Sequence, residues 1–340
     1  MSKAVATFFS DPHLGLNRMS HTTPDSRARL RQQVFTRASR LKTPALTLCL
    51  GDLFDRSNND EATILQGLEV LGGVSYCLAG NHDSRGRTGL PSSLELCAEV
   101  TRNEDFACEI LFSPCYREGW FYTIPHCLTQ EIFDRDLERA PAAKVLLLHS
   151  NYDAPAAAES REDALNLTRA QASGLLERFD RILIGHEHNA RSDFDGRLQC
   201  VGTVFPTSFA DCKTDKFVWH LHDDGGLEAE RVWSTEDGYW SLTWEDLLEG
   251  TGVSIFAQFV EITGTAPAAR MPEIAKAAHK LWAGCPEALM VKNSVESEAV
   301  AATGAAAVSH RAMSVPDRVS AELEGTPAGV LWQDYLRRAL

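Results

Sequence analysis

Hydrophobic positions in this chain fall into short runs that stop abruptly at polar clusters. Ala4–Phe9, Ala45–Leu50, Val74–Leu78, Lys144–Leu148 and Arg181–Ile184 are nearly continuous, without the apolar–polar alternation of a strand wet on one face. Such runs read as strands buried on both faces. Between them, Ser26–Leu41, Glu61–Leu71, Ser92–Val100 and Thr168–Phe179 carry helical spacing, and Thr168 stands where an N-cap belongs. Strand–helix–strand alternation predicts an α/β sandwich, in which ligand sites collect at the carboxyl ends of the strands. Beyond Gly196 the pattern shortens to Leu198–Val204, Phe217–Leu221 and Leu227–Trp233, with Asp223-Asp224-Gly225-Gly226 as a hairpin turn. These strands are expected to complete the sheet of a first domain spanning 1–245. Trp240–Gly252 reads as a connector. Val253–Thr263, Pro272–Ala283 and Ala288–Asn293 then form a small α/β unit, set at 246–296. Residues 297–340 read as a linker followed by two amphipathic helices, Val315–Glu324 and Val330–Leu340.

Composition narrows the class. Hydrophobic residues make up 44% and charged residues 24% of 340, an ordinary globular balance that excludes a disordered tail, a collagen-like repeat or a coiled-coil rod. No apolar run approaches the ~20 residues of a membrane-spanning helix. Nine cysteines, an odd number with no C-x-x-C pair, argue against a disulfide framework or a zinc ribbon. Cys49, Cys77 and Cys200 sit inside apolar runs as buried small hydrophobes. With functional-looking residues already at Asp11, the chain is expected to be unprocessed and cytoplasmic. The net charge of −14 repels bare phosphate backbone, so any action on DNA needs a metal centre, a local basic patch or a partner.

The polar clusters themselves carry the chemistry. They are Asp11-Pro12-His13, Gly51-Asp52-Leu53-Phe54-Asp55, Gly80-Asn81-His82-Asp83, His149 and Gly185-His186-Glu187-His188, one at each strand end. In extended backbone, residues two apart point to the same face, so Asp11 with His13, and His186 with His188, could each converge on one ion. Asp52 could bridge two ions through its two oxygens, and Asn81 and His149 add an amide oxygen and an imidazole. Four His, two Asp and one Asn, without thiolates, suit two divalent ions such as Mn²⁺, Fe or Zn²⁺. Such a pair clamps a phosphate and activates a water. It also leaves a net positive spot on an acidic protein. His82, next to Asn81, is placed to protonate a leaving oxygen or stabilise transition-state charge, and Asp55 and Asp83 to orient imidazoles. His21, His126, His220, His222, His279 and His310 receive no role.

The five clusters, in this order, resemble the calcineurin-like metallophosphoesterases, whose blocks are D-x-H, G-D-x-x-D, G-N-H-D/E, H and G-H-x-H. The resemblance implies a β-sandwich flanked by helices, four layers αββα. It implies one ion held by Asp11, His13 and His188 and a second by Asn81, His149 and His186, with Asp52 between them and His82 catalytic. Ser10-Asp11-Pro12-His13-Leu14-Gly15, Gly51-Asp52-Leu53-Phe54-Asp55-Arg56, Val201-Gly202-Thr203 and Ser208-Phe209 are similar to the SbcD-type DNA repair exonucleases. That likeness implies Mn²⁺ (with Mg²⁺ also usable), a DNA substrate, a capping domain after the phosphoesterase domain, and a homodimer. It further implies a C-terminal helix docking on an SbcC-type, SMC-like ATPase.

The basic residues leave two readings open. The stretch Ser26–Lys42 holds Arg27, Arg29, Arg31, Arg37, Arg40 and Lys42 with no acid between, Arg56 follows Asp55, and Arg85 and Arg87 follow Asp83. They are solvated surface charges, or they position substrate phosphates around the centre; Arg56, Arg85 and Arg87 are the candidate substrate-binding residues. Trp332, Tyr335 and Leu336 recur at helical spacing, as a packing stripe or a partner-docking face. The rival to a DNA nuclease is a stand-alone phosphoesterase acting on a small nucleotide or a phosphoprotein.

Overall fold

The computed structural model describes residues 2–41, 43, 45–84, 91–103, 106–154, 165–250 and 256–298. Arg85, Arg87, Lys42 and everything from 299 onward, with Trp332, Tyr335, Leu336 and both C-terminal helices, lie outside the described residues. The described chain divides into two compact units: 2–240 with 256–260 and 287–292, and a smaller one from 241–250, 261–286 and 293–298.

The larger unit holds two six-stranded sheets. The first runs Leu227–Trp233, Lys216–His222, Ala4–Phe9, Leu46–Cys49, Tyr76–Leu78, Glu109–Leu111. The second runs Arg191–Asp193, Leu198–Cys200, Phe179–Gly185, Ala143–His149, Phe121–Ile124, Cys115–Arg117. In each, four strands pair in parallel and the antiparallel pairings lie toward the edges. The late strands therefore do not all finish one sheet: Leu198–Cys200 joins the second, and the hairpin 216–233 extends the first.

Side-chain alternation sorts the apolar residues into three cores. Phe8, Leu48, Leu50 and Leu78 meet Phe121, Val145, Leu147 and Leu183 between the sheets. The opposite faces bury Phe9, Cys49 and Cys77 with Leu30, Val34, Val70 and Leu94 from helices Pro24–Ser39, Glu61–Leu71 and Ser93–Asn103. Leu146, Leu148, Ile182 and Ile184 do the same with Phe133, Leu137, Ala172 and Leu175 from helices Gln130–Arg139 and Arg169–Leu175. The layering is helix, sheet, sheet, helix. Continuous apolar runs arise because both faces of each central strand are covered.

Local signals hold where they are strong. Asp60 caps Glu61–Leu71 by accepting from Thr63 N, and Thr168 with Gln171 forms a reciprocal cap on Arg169–Leu175. The nine cysteines are free thiols, eight of them buried. In the smaller unit the main helix is Met271–Gly284, and the expected connector contains a helix, Trp244–Glu249, ended by left-handed Gly250. No helix among the described residues is long and apolar enough to cross a membrane.

Candidate active site

Each polar cluster begins where a parallel strand ends, and the turns that follow are strained. Asp11 (φ 52°), His13 (φ 49°), Asp52 (φ 51°) and His186 (φ 87°) adopt positive φ. Left-handed backbone costs a non-glycine residue about 1–3 kcal/mol and persists only where its surroundings over-determine it. Here Asp11 N donates to Gly51 O (3.1 Å), His13 N to Asp52 O (3.1 Å) and Leu14 N to Leu53 O (2.8 Å), lacing the first block to the second. This corrects the expectation of extended i, i+2 pairs. Asp11 and His13 do meet, but through two left-handed residues; His186 and His188 part, each joining a different group.

Among the described residues, three groups of ligand-type atoms, mutually within 4.8 Å, result: Asp11–His13–His188, His13–Asp52–His82 and Asp52–His149–His186. Asn81 belongs with the last, its Oδ1 3.0 Å from His149 Nε2 and 2.9 Å from His186 Nδ1. Asp52 spans the groups, with Oδ1 3.5 Å from His149 Nε2 and Oδ2 3.8 Å from His13 Nε2. All seven expected ligands are thus brought together. Close packing of glycine makes room: a Cβ on Gly51 would stand 2.2 Å from His149 Nδ1.

The hydrogen bonds fix which nitrogens face inward. Nδ1 of His149 lies 2.7 Å from Leu50 O, and Nδ1 of His82 lies 2.7 Å from Asp55 O. A carbonyl only accepts, so both Nδ1 atoms carry protons, and the Nε2 of each neutral ring holds a lone pair. Nδ1 of His188, 3.0 Å from Asp211 Oδ2, is in the same condition. These nitrogens converge: His188 Nε2 is 3.1 Å from His13 Nε2, and His149 Nε2 is 3.0 Å from the Asn81 oxygen. Asp11 Oδ1 and His13 Nδ1 are buried with no hydrogen-bond partner. Acceptors facing acceptors repel unless a proton or a cation stands between them. The donor set, imidazoles, carboxylates and one carboxamide, therefore fits divalent cations.

Charge balance says the same. Burial would raise Asp52, but His149, His13 and His82 outweigh it and hold the carboxyl far below its ordinary range. Burial works against charge on His149, yet Asp52 prevails and pushes the imidazole up to about 10. Burial, with His149 nearby, takes His186 down to about 3, and burial lowers His13 and raises Asp11. Without a cation, positive charge rests on His149, and Asp211 raises His188 as well, against its burial.

The remaining expected residues fall as follows. Asp55 orients His82 through its main-chain carbonyl, while its Oδ1 stands 3.6 Å from His13 Nδ1. The hydrogen bonds of Asp83 go to no imidazole: its carboxylate accepts from Leu53 N (3.1 Å), Phe54 N (3.0 Å) and Gly80 N (3.0 Å), tying the second block to the third. Burial, then repulsion from Asp52, pushes that carboxyl up to about 7. Arg56 lies at the rim, Nε 4.0 Å from Asp55 Oδ2. Sequence reading missed Arg18, whose Nη2 is 4.0 Å from Asp55 Oδ1 on the other side, and His126, whose ring stacks edge-on against His149 at 6.3 Å. It also missed Asp211 and Lys216. Ser-x-x-Asp at 208–211 is a turn signal, but nothing local ties it to His188.

Two sheets between helix layers, with six nitrogen- and oxygen-bearing side chains gathered around the shared Asp52 carboxylate at the strand ends, define a metal-dependent hydrolase. The calcineurin-like phosphoesterase family matches residues 5–190, more than half of the chain, and the chain belongs to that family. It is a metal-dependent phosphoesterase, and all five blocks lie inside the matched residues. No curated protein matches the chain.

Proposed function

We propose that this phosphoesterase is the nuclease subunit of an SbcCD-like complex, cleaving DNA phosphodiesters with two Mn²⁺ ions beside an SbcC-type, SMC-like ATPase. The observation that carries the reading is the Asp52 carboxylate, which faces both ligand groups while one of its oxygens accepts from His82 N at 2.9 Å. Two cations bound there would withdraw charge from a phosphodiester and acidify the attacking water. Asp11, His13 and His188 would hold one, and Asn81, His149 and His186 the other, with Asp52 placed to serve both. His82 is anchored at both ends of its residue, by its amide to Asp52 and by Nδ1–H to Asp55 O, so Nε2 is the nitrogen left to work. As the doubly protonated imidazolium it would pass its Nε2 proton to the leaving oxygen, or donate from Nε2–H to the charge that builds on phosphorus oxygens, the Nδ1 proton staying on Asp55 O. Half-buried Arg18 and exposed Arg56, each about 4 Å from the buried Asp55 carboxylate, take the neighbouring phosphates.

The DNA assignment is supported by the SbcD-like residues of the first two blocks and by the sequence beyond them, the smaller unit (241–250, 261–286 and 293–298) serving as a cap and 314–340 as the ATPase-docking segment. A net charge of −14 favours the rival, a small nucleotide substrate, and requires that the cations and the ATPase supply the attraction for DNA. The test is hydrolysis of linear duplex DNA with Mn²⁺, with and without the ATPase, against a dinucleotide polyphosphate. Untouched DNA in both cases, with turnover of the dinucleotide, refutes the nuclease. Deleting 314–340 is expected to end co-purification with the ATPase and to spare cleavage of a simple diester.

A further inference from the structure

Beyond the residues that match the family, Thr207–Lys216 folds into a turn against the His186–Asn189 loop. Asp211 is buried there, and its carboxylate accepts from five donors. Oδ1 takes Ser208 N (2.8 Å) and Ser208 Oγ (2.9 Å); Oδ2 takes Thr207 N (3.1 Å), Thr207 Oγ1 (3.0 Å) and His188 Nδ1 (3.0 Å). The first four close the turn, together with Cys212 N to Ser208 O at 3.2 Å. The fifth reaches out of the turn to His188, whose Nδ1 also lies 3.3 Å from Thr207 Oγ1. On its far side, buried Lys216 donates from Nζ to His188 O, Asn189 Oδ1 and Thr214 Oγ1, each at 3.1 Å. One segment thus grips His188 by its ring and by its main chain.

The other inward-facing imidazoles are held differently. His149 and His82 give their Nδ1–H to backbone carbonyls, Leu50 O and Asp55 O. His13 Nδ1 stands 3.6 Å from Asp55 Oδ1, too far for a hydrogen bond. Of the five imidazoles at the centre, only His188 has Nδ1 bonded to a carboxylate; Nδ1 of His186 faces the Asn81 carboxamide oxygen at 2.9 Å. We propose that Asp211 is a positioning residue for the cation bound by Asp11, His13 and His188. It keeps the His188 proton on Nδ1 and so keeps a lone pair on Nε2 aimed into the centre. The proposal rests on the two-cation reading above.

Asp211→Asn tests it. The carboxamide has nearly the same shape but one acceptor oxygen, so either Ser208 N–H or the His188 ring meets an NH₂ group. Mn²⁺ is titrated into the metal-free full chain and followed by electron paramagnetic resonance, which separates an exchange-coupled pair from a single ion. The wild type is expected to show the coupled pair. Asp211→Asn is expected to keep one ion and to need about 10–100-fold more Mn²⁺ before coupling returns. Unchanged affinity for both ions overturns the proposal. Ser208→Ala removes a turn bond and leaves the His188 bond; it is expected to lower the melting temperature without moving Mn²⁺ affinity. An affinity loss there equal to that of Asp211→Asn marks a purely structural effect and overturns the proposal. Should the Asn variant not fold, ¹⁵N spectra of the Zn²⁺-loaded wild type decide: His188 carries its proton on Nδ1, and a proton on Nε2 overturns the assignment. A wild type that never forms a coupled pair refutes the two-cation reading itself.

Discussion

Replacing Gly80 by alanine adds one methyl group at the most crowded point of the site. The new Cβ would lie 2.1 Å from Asp52 Oδ1 and 2.3 Å from Asp52 N, where real contacts stay beyond 3.0 Å. The oxygen must retreat by about 0.9 Å and the main chain by about 0.7 Å, overpacking of a kind that costs about 1–3 kcal/mol. No left-handed strain is added, because the φ of Gly80 is not positive. For a unit of this size each kcal/mol lowers the melting temperature by about 2–4 °C. The functional loss is expected to exceed the stability loss. The displaced oxygen accepts from His82 N and faces His149, and misplacement of reacting groups by about 1 Å costs about 10²-fold in rate. The assay is Mn²⁺-dependent turnover of bis(p-nitrophenyl) phosphate, with Mn²⁺ binding by titration calorimetry. Gly174→Ala is the control: nothing lies within 4 Å of its Cβ near the end of helix Arg169–Leu175. It is expected to stabilise by about 0.4–1 kcal/mol and to leave turnover alone. Turnover and Mn²⁺ affinity of Gly80→Ala within about threefold of wild type would refute the reasoning that Asp52 must stand where it does.

Asn81→Ala and His82→Ala are both expected to abolish turnover, but only Asn81→Ala should weaken Mn²⁺ binding, since Asp52 is held by the His82 amide rather than its ring; equal metal loss would make His82 a ligand. Because Asp52 pushes His149 up to about 10, the metal-free protein carries a proton there at neutral pH. A cation must displace it, so Mn²⁺ affinity is expected to rise with pH up to that value and fall below it, with protons released on loading. An indicator dye in weak buffer reads this, and loading without proton release contradicts it. Asp60→Ala removes the acceptor for Thr63 N at 2.8 Å and is expected to cost about 1 kcal/mol in thermal unfolding without changing Mn²⁺ affinity.

Much of the scaffold is local and so was open to sequence reading. Ala4–Phe9, Glu61–Leu71 and Leu227–Trp233 begin and end where their patterns say, because burial on two faces, a capping Asp60 and a hairpin turn act within a few residues. Gln130–Arg139 and Phe121–Ile124 went unread: the helix is mostly charged, showing little more than Phe133 and Leu137 to a core that only the fold supplies. The donors of the centre were legible as residue types at strand ends. Their partition came from the resemblance to the family and not from spacing, which pairs residues two apart. Whether His186 and His188 share a cation depends on the sign of φ at His186, and that sign is held by bonds such as His186 N to Asp11 Oδ2, 175 residues away. The same holds for Asp211, whose bond to His188 exists only once two turns lie against each other. Periodicity and caps record what neighbours along the chain do; the orientation of a lone pair is decided by partners that meet only in the folded protein.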